Sequence, residues 1–195
     1  MARTRDVDAQ QQRLSAATWA VLAQDGLTGL TVRAVAKRAG CTTGLVMHTF
    51  PDKRALLRHA RELLHRRTGE RADLAERTAT DPAERLRAVL LQAATLADDK
   101  RDEARVWIAY TAAAVADPDL AELHVAHNRA FLARIDRLLA NARPGLAAAT
   151  RTAAAAALVA LVEGLSTLAA LDPATYDAGR QRKAIDDALT HLGSG

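Results

Sequence analysis

GLTGLTVRAVAKRAGCTTGLVMHTFPDKRALL, Gly26 to Leu57, is the stretch on which the fold turns. Thr31 precedes a short periodic run, Val32 to Ala39, in which Val35 and Ala36 face inward. A threonine at such a place caps a helix by accepting a backbone N–H of its first turn. Gly40 stops the run, because glycine takes the left-handed conformation that closes helices. Thr42 caps another short helix to about Thr49, and Asp52 opens a long one carrying Leu56, Leu57, Ala60, Leu63 and Leu64. Ahead of them, about Val7 to Gln24 reads as a first helix that buries Leu14, Ala17, Val21 and Leu22, with Trp19 near its edge, and ends at Asp25-Gly26. Two short helices joined by a tight glycine turn inside a basic three-helix unit describe a helix-turn-helix.

Outward from this unit the pattern stays helical. Asp81-Pro82, Asp117-Pro118 and Asp172-Pro173 each read as a helix start, since Asp suits the N-cap and Pro the first helical position. Glu84, three residues after Asp81, adds a capping-box-like signal. Leu86, Val89, Leu90, Ala93 and Leu96 follow at helical spacing up to a charged turn at Asp98–Arg101. A helix from about Asp102 carries Val106, Trp107, Tyr110 and Ala113, and the next has Leu120, Leu123, His127, Phe131, Ile135, Leu138 and Leu139 on one stripe. A long alanine-rich helix is expected from Pro144 to Leu171, and a last one from about Thr175 to His191, before Gly193-Ser194-Gly195. No alternating strand pattern, internal repeat or low-complexity linker interrupts the series.

Composition agrees. Of 195 residues 46 are alanine and only 3% are aromatic, a helical composition because alanine is the best helix former and carries little β preference. The expected fold is all-α, about nine helices: an N-terminal helix-turn-helix domain over 1–67, then a helical bundle over 68–195. MARTRDVDAQ has no apolar segment after its arginines, and the longest apolar run, Ala153 to Val162, is ten residues, short of a membrane span. A lone Cys41 forms no internal disulfide, so a cytoplasmic protein without a membrane partner is expected.

Charge is unevenly spread. Residues 1–67 hold 12 Lys/Arg against 5 Asp/Glu, whereas 68–195 hold 15 against 18, so the net +4 arises from a basic front third. Basic segments face phosphates in nucleic-acid complexes, or form a solvated arginine-rich surface. The helix-turn-helix pattern favours the first.

Gly26 to Leu57 resembles the DNA-binding domain of TetR-family transcriptional regulators, with Ala36, Ala39-Gly40, Gly44, Phe50, Lys53 and Leu56-Leu57 where that family's pattern has them. RLRAVLLQAATLADDKRDEARVWIAYTAAAVADPDLAELH, Arg85 to His124, further resembles the regulatory domain of the BetI-like branch. The resemblance implies direct DNA contacts. Arg33 would read a base, its fork matching guanine O6 and N7. Thr43, Leu45 and His48 would face the major groove, Leu45 meeting a thymine methyl. Thr31, Thr42, Thr49 and Lys53 would meet phosphates, helped by free N–H groups at helix N-termini. Met47 stands where the family usually has tyrosine and removes a hydroxyl contact from the DNA-binding set. Each residue also has a plainer role: Thr31 and Thr42 as caps, Leu45 and Met47 as half-core. Cys41 sits by a helix start, where a thiolate is favoured, but the family commonly has valine there.

The resemblance also implies a small-molecule effector in the C-terminal domain and a homodimer through the last two helices binding a palindromic double-stranded operator. Trp107, Tyr110, His124, Asn128, Phe131 and Glu163 are the effector candidates, being aromatic or polar residues within aliphatic stripes; core and surface roles compete for each. Few aromatics argue against a broad stacking cage for choline or cationic drugs. Leu158, Leu161, Val162, Leu165 and Leu168 line one face for the dimer, with alanines on another.

An enzyme is opposed by the lack of a glycine-rich phosphate loop, a GxSxG elbow or an HExxH pair, and no catalytic residue or cofactor is expected. His124 and His127 with Glu122 near by raise a metal site, but two histidines on a polar helix more often face solvent. A helical interaction or ligand-binding module that has lost operator binding is the remaining alternative. Met47 supports it, while Arg33, His48 and Lys53 oppose it.

Overall fold

Local capping decides where the chain breaks. In the computed structural model, which describes residues 2–192 and the side-chain surroundings of all of these except 2–8 and 98–99, nine helices and no strand occur among the described residues. Helix α1 (Ala2–Gly29) is interrupted at Gly26, whose φ of 66° and ψ of −166° lie outside helical space, so the regular helix stops at Asp25. Helices α2 (Val32–Ala39) and α3 (Thr43–Thr49) are capped by Thr31 Oγ1, which accepts from the Ala34 amide at 3.1 Å, and Thr42 Oγ1, which accepts from the Leu45 amide at 3.3 Å. Between them Gly40 takes φ 65°, ψ 39°, a conformation that glycine enters without the Cβ clash other residues meet. Helix α4 (Lys53–Thr78) begins where Asp52 Oδ1 accepts the Ala55 amide at 2.7 Å.

Helices α5 (Pro82–Ala93), α6 (Asp98–Ala114), α7 (Pro118–Ala142), α8 (Ala148–Leu171) and α9 (Ala178–His191) complete the series. Asp81 and Asp117 cap α5 and α7 as their Asp-Pro pairs imply. Three expectations are corrected. Helix α6 starts at Asp98, four residues early, so the turn is at Ala94–Ala97 and Asp98–Arg101 is helical. Helix α8 starts at Ala148, after a turn over residues 144–147, rather than at Pro144 itself. Asp172 caps only a turn, accepting the Thr175 amide at 3.1 Å, and it is Asp177 that opens α9. Gly193-Ser194-Gly195 lies outside the described residues.

The packing forms two units, residues 1–65 with 105–124, and residues 66–104 with 125–195, so α4, α6 and α7 each supply both. In the first, Leu14, Leu22, Leu30, Val35, Val46 and Leu56 form the centre with Val106, Tyr110 and Leu120. Trp19 is also part of this core, at 8% exposure, rather than at a helix edge. Burial of such side chains at roughly 25 cal/mol per Å² of apolar surface is what holds short helices such as α2 and α3, too short to persist alone.

In the second unit Val89, Leu90, Ile135, Leu138, Leu139 and Ile185 pack together. Leu158 and Val162 of α8, expected at a dimer interface, are each 2% exposed within this same core. Leu161 and Leu165 are half-buried, and Leu168 is exposed. Helix α8 is long and apolar enough to cross a membrane by length and composition, although no single run exceeds ten residues, because its polar residues cluster at 150–152 and at Glu163, Ser166 and Thr167; 39% of its most apolar stretch is buried in the protein.

Candidate nucleic-acid interface

Helix α3 has one face in the core and the other in solvent. Val46 (fully buried) and Phe50 anchor it, and the face set opposite leaves Thr43, Met47 and His48 exposed, with Leu45 and Thr49 half-buried. Met47, 54% exposed, is therefore surface and not half-core, an apolar side chain open to solvent on the helix that carries the candidate readers. Arg33, the second residue of α2, is exposed, and Thr31, Thr42 and Thr43 stand at or beside the N-termini of α2 and α3. Free amides at these ends and the helix dipoles favour an anion, the chemistry a phosphate presents.

Thr31 and Thr42 use their hydroxyl oxygen as caps, leaving each O–H to donate elsewhere. Thr49 Oγ1 donates to Leu45 O at 3.5 Å. Lys53 Nζ donates to the carbonyl of Leu27 at 2.5 Å, tying the start of α4 to the turn after Gly26; two of its three N–H donors remain for another acceptor. Arg38 is engaged with Gln24 Oε1 at 2.7 Å.

The effector candidates divide between the units. Trp107, Tyr110 and His124 belong to the first, Asn128, Phe131 and Glu163 to the second. Tyr110 is fully buried and its hydroxyl donates to Leu120 O at 2.6 Å; burial raises its pKa above 10.0. His124, half-buried, lies with its ring 5.0 Å from that of Trp107, and its buried Nδ1 has no hydrogen-bond partner. Burial first, and then the positive charge of Arg61, lower its pKa below 6.5. In the second unit Asn128, Phe131 and Glu163 are half-buried; Phe131 packs against the core and the buried Asn128 Oδ1 lacks a hydrogen-bond partner. A 390 Å³ groove in this unit is lined by Leu86, Arg87, Leu139, Arg143, Asp186 and Leu189 among others, and none of the six candidates lines it. Among the described residues no three His, Cys, Asp or Glu are grouped to hold a metal ion.

Three residues escaped the sequence reading. Arg61 is 4% exposed and lies over the Trp107 ring, 4.8 Å from its centroid, and 5.9 Å from that of Tyr110. Its signal was present: it falls within the apolar stripe of α4, four residues after Leu57 and three before Leu64. Arg54 bridges Asp117 and Asp119 at 2.8 and 2.6 Å. Gln181 is 1% exposed and donates to Thr95 O and Tyr176 O at 2.9 and 2.8 Å; its spacing of four from Ile185 put it on the buried face of α9.

Known proteins share this arrangement. Residues 14–60 match the family of bacterial regulatory proteins of the tetR type, and residues 82–194 match the BetI-type transcriptional repressor C-terminal domain. The HTH-type transcriptional regulator BetI of Paraburkholderia phytofirmans is 30% identical over 92% of this chain and 91% of its own. The crystal structure of a transcriptional regulator from Rhodococcus sp. Rha1 is 32% identical, with a TM-score of 0.84 over 92% of this chain and 94% of that one. A regulator from Saccharomonospora viridis solved in complex with choline has the same fold, with a TM-score of 0.85 at 19% identity over 95% of this chain and 97% of its own. With a helix-turn-helix whose reader face is open and both of its segments matched, this chain belongs to the TetR family of transcriptional regulators, with a BetI-type C-terminal domain, and not to a family of enzymes.

Proposed function

We propose that the protein is a cytoplasmic ligand-responsive repressor that binds a palindromic operator as a homodimer and leaves it when a small molecule binds the C-terminal domain. The observation that carries this reading is the open face of α2 and α3, with exposed Thr42, Thr43 and His48 and the accessible Arg33 beside two helix N-termini. In this reading Arg33 reads a base and Thr43, Leu45, Met47 and His48 face the major groove. Thr31, Thr42, Thr49 and Lys53 meet phosphates.

The dimer reading is supported by α8. Ala153, Ala157, Ala160, Leu168 and Leu171 are exposed at helical spacing although this is the most apolar helix of the chain, and an exposed apolar face of small residues lets a second copy approach closely. The contact is thus assigned to the alanine face, with Leu158 and Val162 behind it in the core. A two-fold dimer would set its recognition helices about 34–36 Å apart, or a multiple, on successive turns of one groove. The domain boundary at 67 and the effector set Trp107, Tyr110, His124, Asn128, Phe131 and Glu163 are parts of the same proposal, and the S. viridis protein solved with choline supports a small-molecule effector for this fold.

A gel shift with DNA upstream of the protein's own gene tests the reading. A discrete complex supports it, and uniform weak binding to all duplexes supports the alternative of a helical module without an operator. Sedimentation of Ala157→Glu tests the interface: a monomer is expected, and an intact dimer moves the interface elsewhere.

A further inference from the structure

Half-buried Trp107 and buried Tyr110 offer ring faces of negative potential, a place where a cation can lie. Here that place is taken. The guanidinium carbon of Arg61 stands 4.8 Å from the Trp107 centroid and 5.9 Å from that of Tyr110, and the arginine is 4% exposed. The Tyr110 ring cannot swing clear at no cost: it is fully buried and its hydroxyl donates to Leu120 O at 2.6 Å, in the first turn of α7 that Asp117 Oδ1 caps through the amides of Asp119 and Leu120. The second polar group at Trp107 is His124, whose buried Nδ1 has no partner.

We propose that Arg61 is a specificity-determining residue, an internal cation that occupies the Trp107–Tyr110 pair and closes it to quaternary ammonium effectors, leaving the group to neutral or anionic ones. The proposal rests on the reading of Trp107, Tyr110 and His124 as effector residues and names the ligand class that they accept. An entering cation would have to displace Arg61 and would face its charge at close range, and both effects oppose binding. A carboxylate or a neutral hydrogen-bonding group meets neither opposition. At the next side chain, burial first and then the charge of Arg61 hold the His124 pKa below 6.5. Around Tyr110 the charged groups that bear on it are Arg61, Arg58, Asp117 and Glu62.

The test uses the full chain carrying Trp19→Phe, so that Trp107 is the one remaining tryptophan. Tetramethylammonium chloride is titrated against sodium chloride at equal ionic strength, and Trp107 emission is read in this protein and with Arg61→Met or Arg61→Gln added. Met retains most of the arginine stem's bulk and Gln a polar end, so a folding failure of one leaves the other. The expected result is no specific response with Arg61 present, and a saturable response, at least tenfold tighter, in either variant. His124 proton resonances give a second readout: its pKa should rise toward 6.5 in both variants. Saturable binding with Arg61 present overturns the proposal, and so does a folded variant that gains no affinity. Failure to find an operator would defeat the regulatory reading and leave this titration intact, whereas operator release by tetramethylammonium with Arg61 in place would defeat only the exclusion.

Discussion

Thr42 has two roles that one substitution separates. Its hydroxyl oxygen caps α3 through the Leu45 amide at 3.3 Å on the exposed surface, and the same position is proposed to meet a phosphate. Thr42→Ala removes the cap, which costs roughly 0.5–2 kcal/mol in general; a long, exposed bond belongs at the lower end, about 0.5–1 kcal/mol, or a fall in Tm of about 1–4 °C for a chain of this length. Thr42→Asp keeps the cap, since Asp serves there at least as well as Thr, so the melting temperature should hold. Its carboxylate would, however, stand about 5 Å from a phosphate. Taking an effective dielectric between about 80 and about 20, the repulsion is about 1–3 kcal/mol per half-site, or about 2–6 kcal/mol for a dimer on two half-sites. That corresponds to an affinity loss of roughly 30-fold to 10⁴-fold. Threonine neutralises no phosphate, but each added carboxylate offsets about one cationic contact, so the salt slope should fall by about 0.9 per half-site, about 1.8 over the two. Circular dichroism melts and fluorescence anisotropy on labelled operator at several salt concentrations measure both. A Thr42→Asp protein that binds as tightly as wild type with the same salt slope would show that Thr42 is a cap and nothing more.

Gly40→Ala should lower stability by about 1–2 kcal/mol in urea unfolding, because an added Cβ meets nothing within 4 Å and the cost is that of the left-handed backbone alone; an unchanged midpoint would refute that account. Arg33→Ala should relax base preference at one operator position by about 1–3 kcal/mol, seen in binding to single-base operator variants. Lys53→Ala should weaken all sequences alike and flatten the salt slope, with a small loss of stability from the Leu27 carbonyl it releases, and an unaltered slope would remove Lys53 from the phosphate set. For His124 the folded pKa lies below the ordinary 6.5, so the unfolded chain binds more protons and stability is lost as pH falls through that value. Between about pH 7 and about pH 5 the urea midpoint of wild type should drop, and His124→Gln should flatten part of that drop; equal slopes would exclude His124 as its source.

What the sequence by itself determined is what arises over three or four residues. The caps at Thr31, Thr42, Asp52, Asp81 and Asp117 and the left-handed turn at Gly40 are bonds from a side chain or amide to a neighbour along the chain, so residue type and spacing predict them and with them the helix-turn-helix. The periodic stripes likewise set which faces of α1 to α5 turn inward. The start of the last helix was not legible in this way: Asp172-Pro173 reads as its cap but closes only a turn, and α9 begins at Asp177, from which Gln181 and Ile185 are buried in the second unit. The tertiary structure alone decided which apolar face α8 buries, because leucines and alanines are both admissible in a core: Ala154, Ala155, Leu158, Val162 and Ala169 went inward, while Ala153, Ala157, Ala160, Leu168 and Leu171 were left open. Tertiary packing alone set Lys53 on a carbonyl 26 residues away and Arg61 on the ring of Trp107, in another helix. Such pairings bring together groups with no periodic relation in sequence, and their geometry exists only once the hydrophobic core has fixed the backbones that carry them.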